Sequence, residues 1–311
     1  MKTHTLFVVA MVLAMATTPA LPALAQDLEE WLERAAGAEY SGRQFTLCDT
    51  PDGHRAEIVK VVQSEGLLEV RASFGSAVVT PDGMYQRSSD GSVSVSSAEA
   101  LTGWQLAEHY RVEFGAVGEV LRRPVDVLQV MDGDLIRMEL SFDRQTGAVL
   151  EAEVFNADSS RYCTSSFIVF EPGSNDIDPP LMIVQVIEST LVDYDRLPLQ
   201  LGGFTRKDSY QGPSGSVTGF YSDGLFSFTL VVADRRITVQ GLDTTLAARI
   251  GDAIYDRAFT PGQSFHSWET RRGGYVMLGD LPLDLQEQVL SELPKPGKPG
   301  FLTRVWRKFF G

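Results

Sequence analysis

Apolar and polar residues alternate at period two over much of the stretch from Arg43 to about Phe170, the pattern of strands with one covered and one solvated face. Leu68, Val70, Ala72 and Phe74 share one side while Glu69, Arg71 and Ser73 share the other. Ile136, Met138, Leu140 and Phe142 alternate with Arg137, Glu139 and Ser141, and Leu150, Ala152 and Val154 with Glu151 and Glu153. Asp52-Gly53, Asp82-Gly83, Asp90-Gly91, Asp132-Gly133 and Thr146-Gly147 punctuate the runs. The glycine in each accepts positive φ, so these pairs predict hairpin turns. About eleven strands in an antiparallel meander are more than an open sheet usually holds without curling or closing. Ahead of the meander, Asp27 can cap a short helix in which Leu28, Trp31, Leu32 and Ala35 keep helical spacing before Gly37 ends it. Ala98 to Tyr110, with Leu101, Trp104 and Leu106, reads as a helical or irregular insertion.

A second patterned region follows Glu171–Asp178 and Pro179-Pro180, a turn-rich stretch read as a linker. Leu181 to Leu191 is apolar and is compatible with a strand or a helix. Farther on, Asp223-Gly224 separates two β-prone runs; after it Phe226, Phe228, Leu230 and Val232 share a face opposite Ser227 and Thr229. Arg236–Val239 predicts a strand and Leu242–Tyr255 a helix, because Leu246, Ala247, Ile250, Ala253 and Ile254 fit helical spacing. Strands at about Gln263–Thr270 and Gly274–Leu278 precede a last helix near Pro282–Leu293.

This organisation predicts an α+β protein. Residues 1–25 read as an export signal, 26–177 as a strongly curved antiparallel sheet domain, 178–195 as a linker, 196–293 as a smaller α/β domain and 294–311 as a tail. The export signal rests on Lys2, the short apolar run Leu6–Ala16 and the small-x-small site Ala23-Leu24-Ala25, which place the mature chain in the periplasm. In that oxidising compartment Cys48 and Cys163 are expected to be bridged, the alternative being two buried reduced thiols.

Charge narrows the class. The net charge is −14, and five bases but no acid lie in residues 295–311. One of the 27 bases lies in residues 1–25, so the body has 21 bases against all 41 acids. Such a body cannot neutralise phosphates, which excludes nucleic acid as its partner. The tail differs: Phe301, Leu302, Val305, Trp306, Phe309 and Phe310 form one helical stripe beside Arg304, Arg307 and Lys308. It suits an anionic membrane interface or, equally, a helix docked on the acidic body.

Catalytic signatures are missing from the sequence. His4, His54, His109 and His266 show no ligand spacing, and no Gly-x-Ser-x-Gly elbow, P-loop, dinucleotide fingerprint or Cys-x-x-Cys pair occurs. Carboxylates are plentiful, but nothing singles out a hydrolytic pair. The expectation is a binding protein with no cofactor and no metal. A curled sheet of this kind is either plugged by its own helices or holds an apolar ligand such as an acyl chain.

Several phrases resemble the RseB/MucB family of periplasmic regulators of the envelope stress response. They are Asp27–Ala35, Arg123-Pro124-Val125-Asp126-Val127-Leu128, Leu140–Gly147, Leu197-Pro198 with Gly203-Phe204-Thr205, Tyr221–Phe228 and Val276–Pro282. Tyr221-Ser222-Asp223-Gly224-Leu225 is the most specific. The resemblance implies a first domain like the LolA/LolB lipoprotein carriers, a half-open barrel with helices in its mouth. It implies a second domain that binds the periplasmic part of a membrane-bound anti-sigma factor. It further implies negative regulation of an envelope-stress sigma factor, release by lipidic or misfolded envelope components, among them acyl chains, lipoprotein or lipopolysaccharide, and no enzymatic activity. The other reading is a periplasmic lipid or lipoprotein carrier or chaperone. Phe220, Tyr221 and Leu225 are the candidate partner contacts; Phe301, Arg304, Trp306, Arg307, Lys308, Phe309 and Phe310 are the candidate membrane contacts. Homo-oligomerisation is left open.

Overall fold

The structure, a computed structural model, describes residues 31–97, 109–173, 196–233 and 246–297 apart from short breaks, mostly at turns. Residues 98–108 of the expected insertion at 98–110, the linker 178–195 with the apolar run 181–191, the strand at 236–239, the export signal and the tail stripe 301–310 lie outside the described residues.

Eleven strands build the first sheet: β1 (Tyr40–Thr50), β2 (Gly53–Ser64), β3 (Leu67–Ala72), β4 (Gly75–Thr80), β5 (Gly83–Ser88), β6 (Val93–Ser97), β7 (Arg111–Val120), β8 (Arg123–Asp132), β9 (Leu135–Asp143), β10 (Val149–Phe155) and β11 (Arg161–Pro172). Their order is β6-β5-β4-β3-β2-β1-β11-β10-β9-β8-β7. Two meanders, each paired to its chain neighbours, therefore join through β1 and β11, and β6 and β7 are the free ends. Cys48 and Cys163 face each other across that join and are disulfide-bonded.

The alternation seen in the sequence becomes two faces. Along β2, Val59 and Val61 are buried while His54, Ala56, Ile58 and Lys60 are exposed. The buried face continues through Leu68, Val70, Leu128, Val130, Met138, Leu140 and Ala152. A helical turn ending at Ala36 lies over this inner face. Its last carbonyls have no intrahelical partner; Gln63 Nε2 donates to Ala35 O at 2.6 Å and Ala36 O at 2.8 Å.

Two of the sequence phrases lock to each other. Arg123 donates two bonds to Asp143, at 2.9 and 2.8 Å, and Arg144 donates two to Asp126, at 2.8 and 2.6 Å. Asp143 Oδ2 also accepts from Thr146 N and Oγ1, which shapes the β9–β10 turn. Gly147 closes it at φ 82°, where a Cβ would sit 3.1 Å from Arg34 O. Glycine is required there twice over, by the left-handed backbone and by the helical turn pressed on it.

Eight strands build the second sheet: β12 (Gln200–Leu201), β13 (Phe204–Gln211), β14 (Val217–Ser222), β15 (Ser227–Ala233), β16 (Leu246–Ile250), β17 (Ala253–Thr260), β18 (Gln263–Thr270) and β19 (Gly273–Leu278). Their order is β12-β13-β14-β15-β19-β18-β17-β16, with antiparallel pairing throughout. Helix α1 (Leu283–Glu292) buries Gln286, Val289 and Leu290. The expected α/β character is thus corrected to a mostly β protein. The expected helix over Leu242–Tyr255 is corrected to the β16–β17 hairpin. Gly251 at φ 58° turns the chain, Ala248 and Ile250 are buried between exposed Ala247 and Arg249, and Ile254 faces solvent. Apolar residues at 246, 250 and 254 fit a helix and a strand equally, and the glycine decided between them.

Burial pushes the Asp143 carboxyl up, but the bonds from Arg123 and Thr146 outweigh it and hold the acid below its ordinary 3.8. Its contribution to stability is therefore complete above that value and lost as pH falls through the lower folded value. Asp143→Asn is expected to cost about 3 kcal/mol at neutral pH and to flatten the acid limb of a urea-denaturation series run against pH.

Candidate functional site

The Ser222–Phe226 turn is built by its own side chains. Asp223 Oδ1 accepts from Leu225 N at 2.8 Å and Phe226 N at 2.7 Å, and Ser222 Oγ accepts from Gly224 N at 3.1 Å. Gly224 takes φ 101°. Asp223 Oδ2 reaches the first sheet's side of the molecule, accepting from Tyr110 Oη at 2.6 Å. Burial pushes the Asp223 carboxyl up. It pushes the Tyr110 phenol up too, and the neighbouring carboxylate adds to that. Arg137 of β9 lies over the Phe226 ring at 5.8 Å. The turn thus plugs the second sheet into the first.

Three further contacts complete this junction. Arg55 of β2 grips Asp280, just after β19, through two bonds of 3.0 and 2.7 Å, with side-chain exposures of only 16% and 5%. Arg137 pairs with Asp284 at 2.9 Å. Asn156 Oδ1 accepts from Leu283 N at 2.9 Å. Pro282 offers α1 no side-chain cap, so a residue beyond β10 supplies the acceptor that an N-terminal turn needs. Behind them Tyr162, Arg257 and His266 are buried. Burial, reinforced by the Arg257 charge, pushes His266 down to about 3, so its ring is neutral. Burial pushes the Tyr162 phenol up, with the Asp280 carboxylate adding to it.

The candidate residues read from the sequence separate here. Tyr221 and Leu225 are fully buried and Phe220 is half-buried. Tyr221 stacks on Phe228 at 5.0 Å and donates to Pro198 O at 2.8 Å. Two of the three therefore belong to the core, because the turn folds inward against the first sheet. Cys48 and Cys163 are bridged beside Arg55, whose Nη2 lies 3.7 Å from Cys48 Sγ. The tail stripe lies outside the described residues, but its root is fastened: Trp268 Nε1 donates to Pro294 O at 2.7 Å, Lys295 Nζ to both Asp252 oxygens, and Gly297 N to Glu269 O at 2.8 Å.

Sequence reasoning missed Arg55, Tyr110, Arg137, Asn156 and Asp284. One signal was available: Arg55 has the same parity as Val59 and Val61, so a cation stood on the covered face of its strand. Among the described residues no group of three or more His, Cys, Asp or Glu side chains is placed to hold a metal. The arrangement fixes one sheet against the other.

Asp280→Ala leaves the Arg55 guanidinium in the junction without its carboxylate. A loss of about 3 kcal/mol is expected in denaturant unfolding, with Arg55→Met added to Asp280→Leu recovering most of it.

No family model matches the chain, and no curated protein sequence does. Among solved structures, the complex of Pseudomonas aeruginosa MucA and MucB matches at 20% identity with a TM-score of 0.53, covering 88% of this chain and all of that one. MucB in complex with the periplasmic part of MucA matches at 21% identity, TM-score 0.49, over 86% of this chain and 99% of that one. MucB alone matches at 22% identity, TM-score 0.48, over 85% and 96%. Over 88% of its length this chain has the fold of MucB, a protein of the RseB family.

Proposed function

We propose that this protein is an extracytoplasmic negative regulator of an envelope-stress sigma factor, acting by binding the periplasmic part of a membrane-bound anti-sigma factor. The observation that carries the reading is the likeness in fold to MucB, solved together with MucA, along nearly the whole chain. The disulfide supports an oxidising compartment. RseB-family regulators act by binding and not by catalysis, and this chain is read in the same way. The apolar inner face of the first sheet is the proposed seat of lipidic ligands, and the rigid junction is the proposed route by which that sheet influences the second.

Binding to the purified extracytoplasmic domain of the anti-sigma factor encoded in the same genome is the direct test. Calorimetry is expected to show a stoichiometric complex weakened by lipopolysaccharide or short-chain phospholipid. No heat and no co-elution, with or without lipid, would remove the reading.

The tail is proposed to touch an anionic membrane surface. Because Pro294, Lys295 and Gly297 hold the second sheet, deletion should begin at residue 298. The shortened protein is expected to lose sedimentation with anionic vesicles while its melting temperature stays the same. A large fall in melting temperature would instead show a tail that finishes the fold.

A further inference from the structure

Among the described residues strand β7 ends the eleven-stranded sheet and pairs only with β8. Its outer side therefore presents a row of backbone donors and acceptors, a ready template for another strand. Proteins usually guard such an edge with charged side chains, proline or a bulge, and seldom leave large apolar side chains on it. Residues 111–120 contain no lysine and no proline, and among the exposed charges of Arg111, Glu113 and Glu119 the strand displays Phe114 and Val117, 58% and 64% exposed. Leu121, in the turn that follows, is 43% exposed. Three of the ten exposed large apolar side chains among the described residues thus fall on this one edge.

The turn adds an independent observation. Leu121 and Arg122 sit at φ 53° and 59°, the two left-handed positions that asparagine and glycine normally fill in a two-residue hairpin. Backbone strain that displays a large apolar side chain to water is unfavourable twice, and such strain concentrates where a surface has a task. Phe114 does not stand alone. Its register partner is Leu128, and Trp31 lies 6.2 Å from it and 5.3 Å from Phe142, so an apolar shelf backs the edge on the inner face.

We propose that the outer edge of β7 binds an extended segment of the protein's partner, added to the sheet as a further strand. Its alternate apolar side chains would rest on Phe114, Val117 and Leu121. This rests on the reading of the protein as a binder of an extracytoplasmic domain and says where on the chain that domain docks. A flexible segment suits the edge better than a second copy of the chain for two reasons. The strand is kinked by a bulge between Phe114 and Val117, which a flexible segment can follow and an identical rigid edge meets poorly. Each copy also carries a net charge of −14, so two copies repel, whereas a neutral or basic segment does not.

The test uses the full mature chain and the anti-sigma factor's extracytoplasmic domain. Hydrogen exchange of the Arg111–Val120 amides is expected to slow in the complex. The double variant Phe114→Ser/Val117→Lys, altered only at exposed positions, is expected to bind about tenfold or more weakly with its melting temperature retained. Leu121→Gly relieves the backbone and removes the side chain, so its melting temperature should hold or rise while affinity falls severalfold. Undiminished binding by both variants with no protection at the edge would overturn the edge proposal and leave the function standing. A change of oligomeric state without loss of binding would assign the edge to a second copy and overturn it too. Failure of the wild-type chain to bind the domain would overturn the functional reading and this proposal together.

Discussion

A guanidinium taken out of water must be met by a carboxylate or by enough acceptors to replace its hydration. In this chain that requirement falls where the two sheets meet. Arg55 and Arg137, both on the first sheet, find Asp280 and Asp284, which bracket the start of the second sheet's helix. The helix in turn takes its N-terminal acceptor from Asn156. Arg55, Asp280 and the Leu283 amide find these hydrogen-bond partners, and Arg137 its ion pair, only when both sheets are in place, so the junction specifies one orientation rather than a range. Apolar contact alone, as between Phe226 and its neighbours, is far less demanding of angle.

That economy of contact has a functional side. The junction joins the ends of strands, not their broad faces, so few residues connect the two sheets, which suits the proposed coupling between them. Tyr110, Asp223, Arg55 and Asp280 are all buried or nearly so and all polar. A ligand that rearranged them would exchange one satisfied network for another, which is how a packed interface becomes two-state instead of gradually deformable. The disulfide beside Arg55 stiffens this end of the first sheet further.

Much of the fold was legible because the alternation of residues like Ile136 to Phe142 has one reading once Asp-Gly turns bound it. The hairpin at 246–260 was not, since apolar residues every fourth position satisfy two periods, and the deciding Gly251 is one residue. The Tyr221–Phe228 phrase was visible, but its burial was not: Tyr221 and Leu225 are core residues, and Asp223 makes the contact between sheets. Long-range polar partners such as Arg55 and Asp280, 225 residues apart, leave no local trace beyond a cation of the wrong parity. The β7 edge was hidden for a different reason, because strand order is a property of the sheet and not of any one strand.

The seam between β1 and β11 has a consequence for how the chain is made. Each flanking meander pairs only sequence neighbours, so either can form early with little loop closure. The seam unites residues 115 apart and is by far the most distant pairing in that sheet. The first meander is complete in the growing chain long before its counterpart arrives, so an unpaired β1 must wait, exposed to wrong strands. Oxidation of Cys48 with Cys163 records the correct encounter covalently, making completion of this sheet a step that an oxidising environment seals.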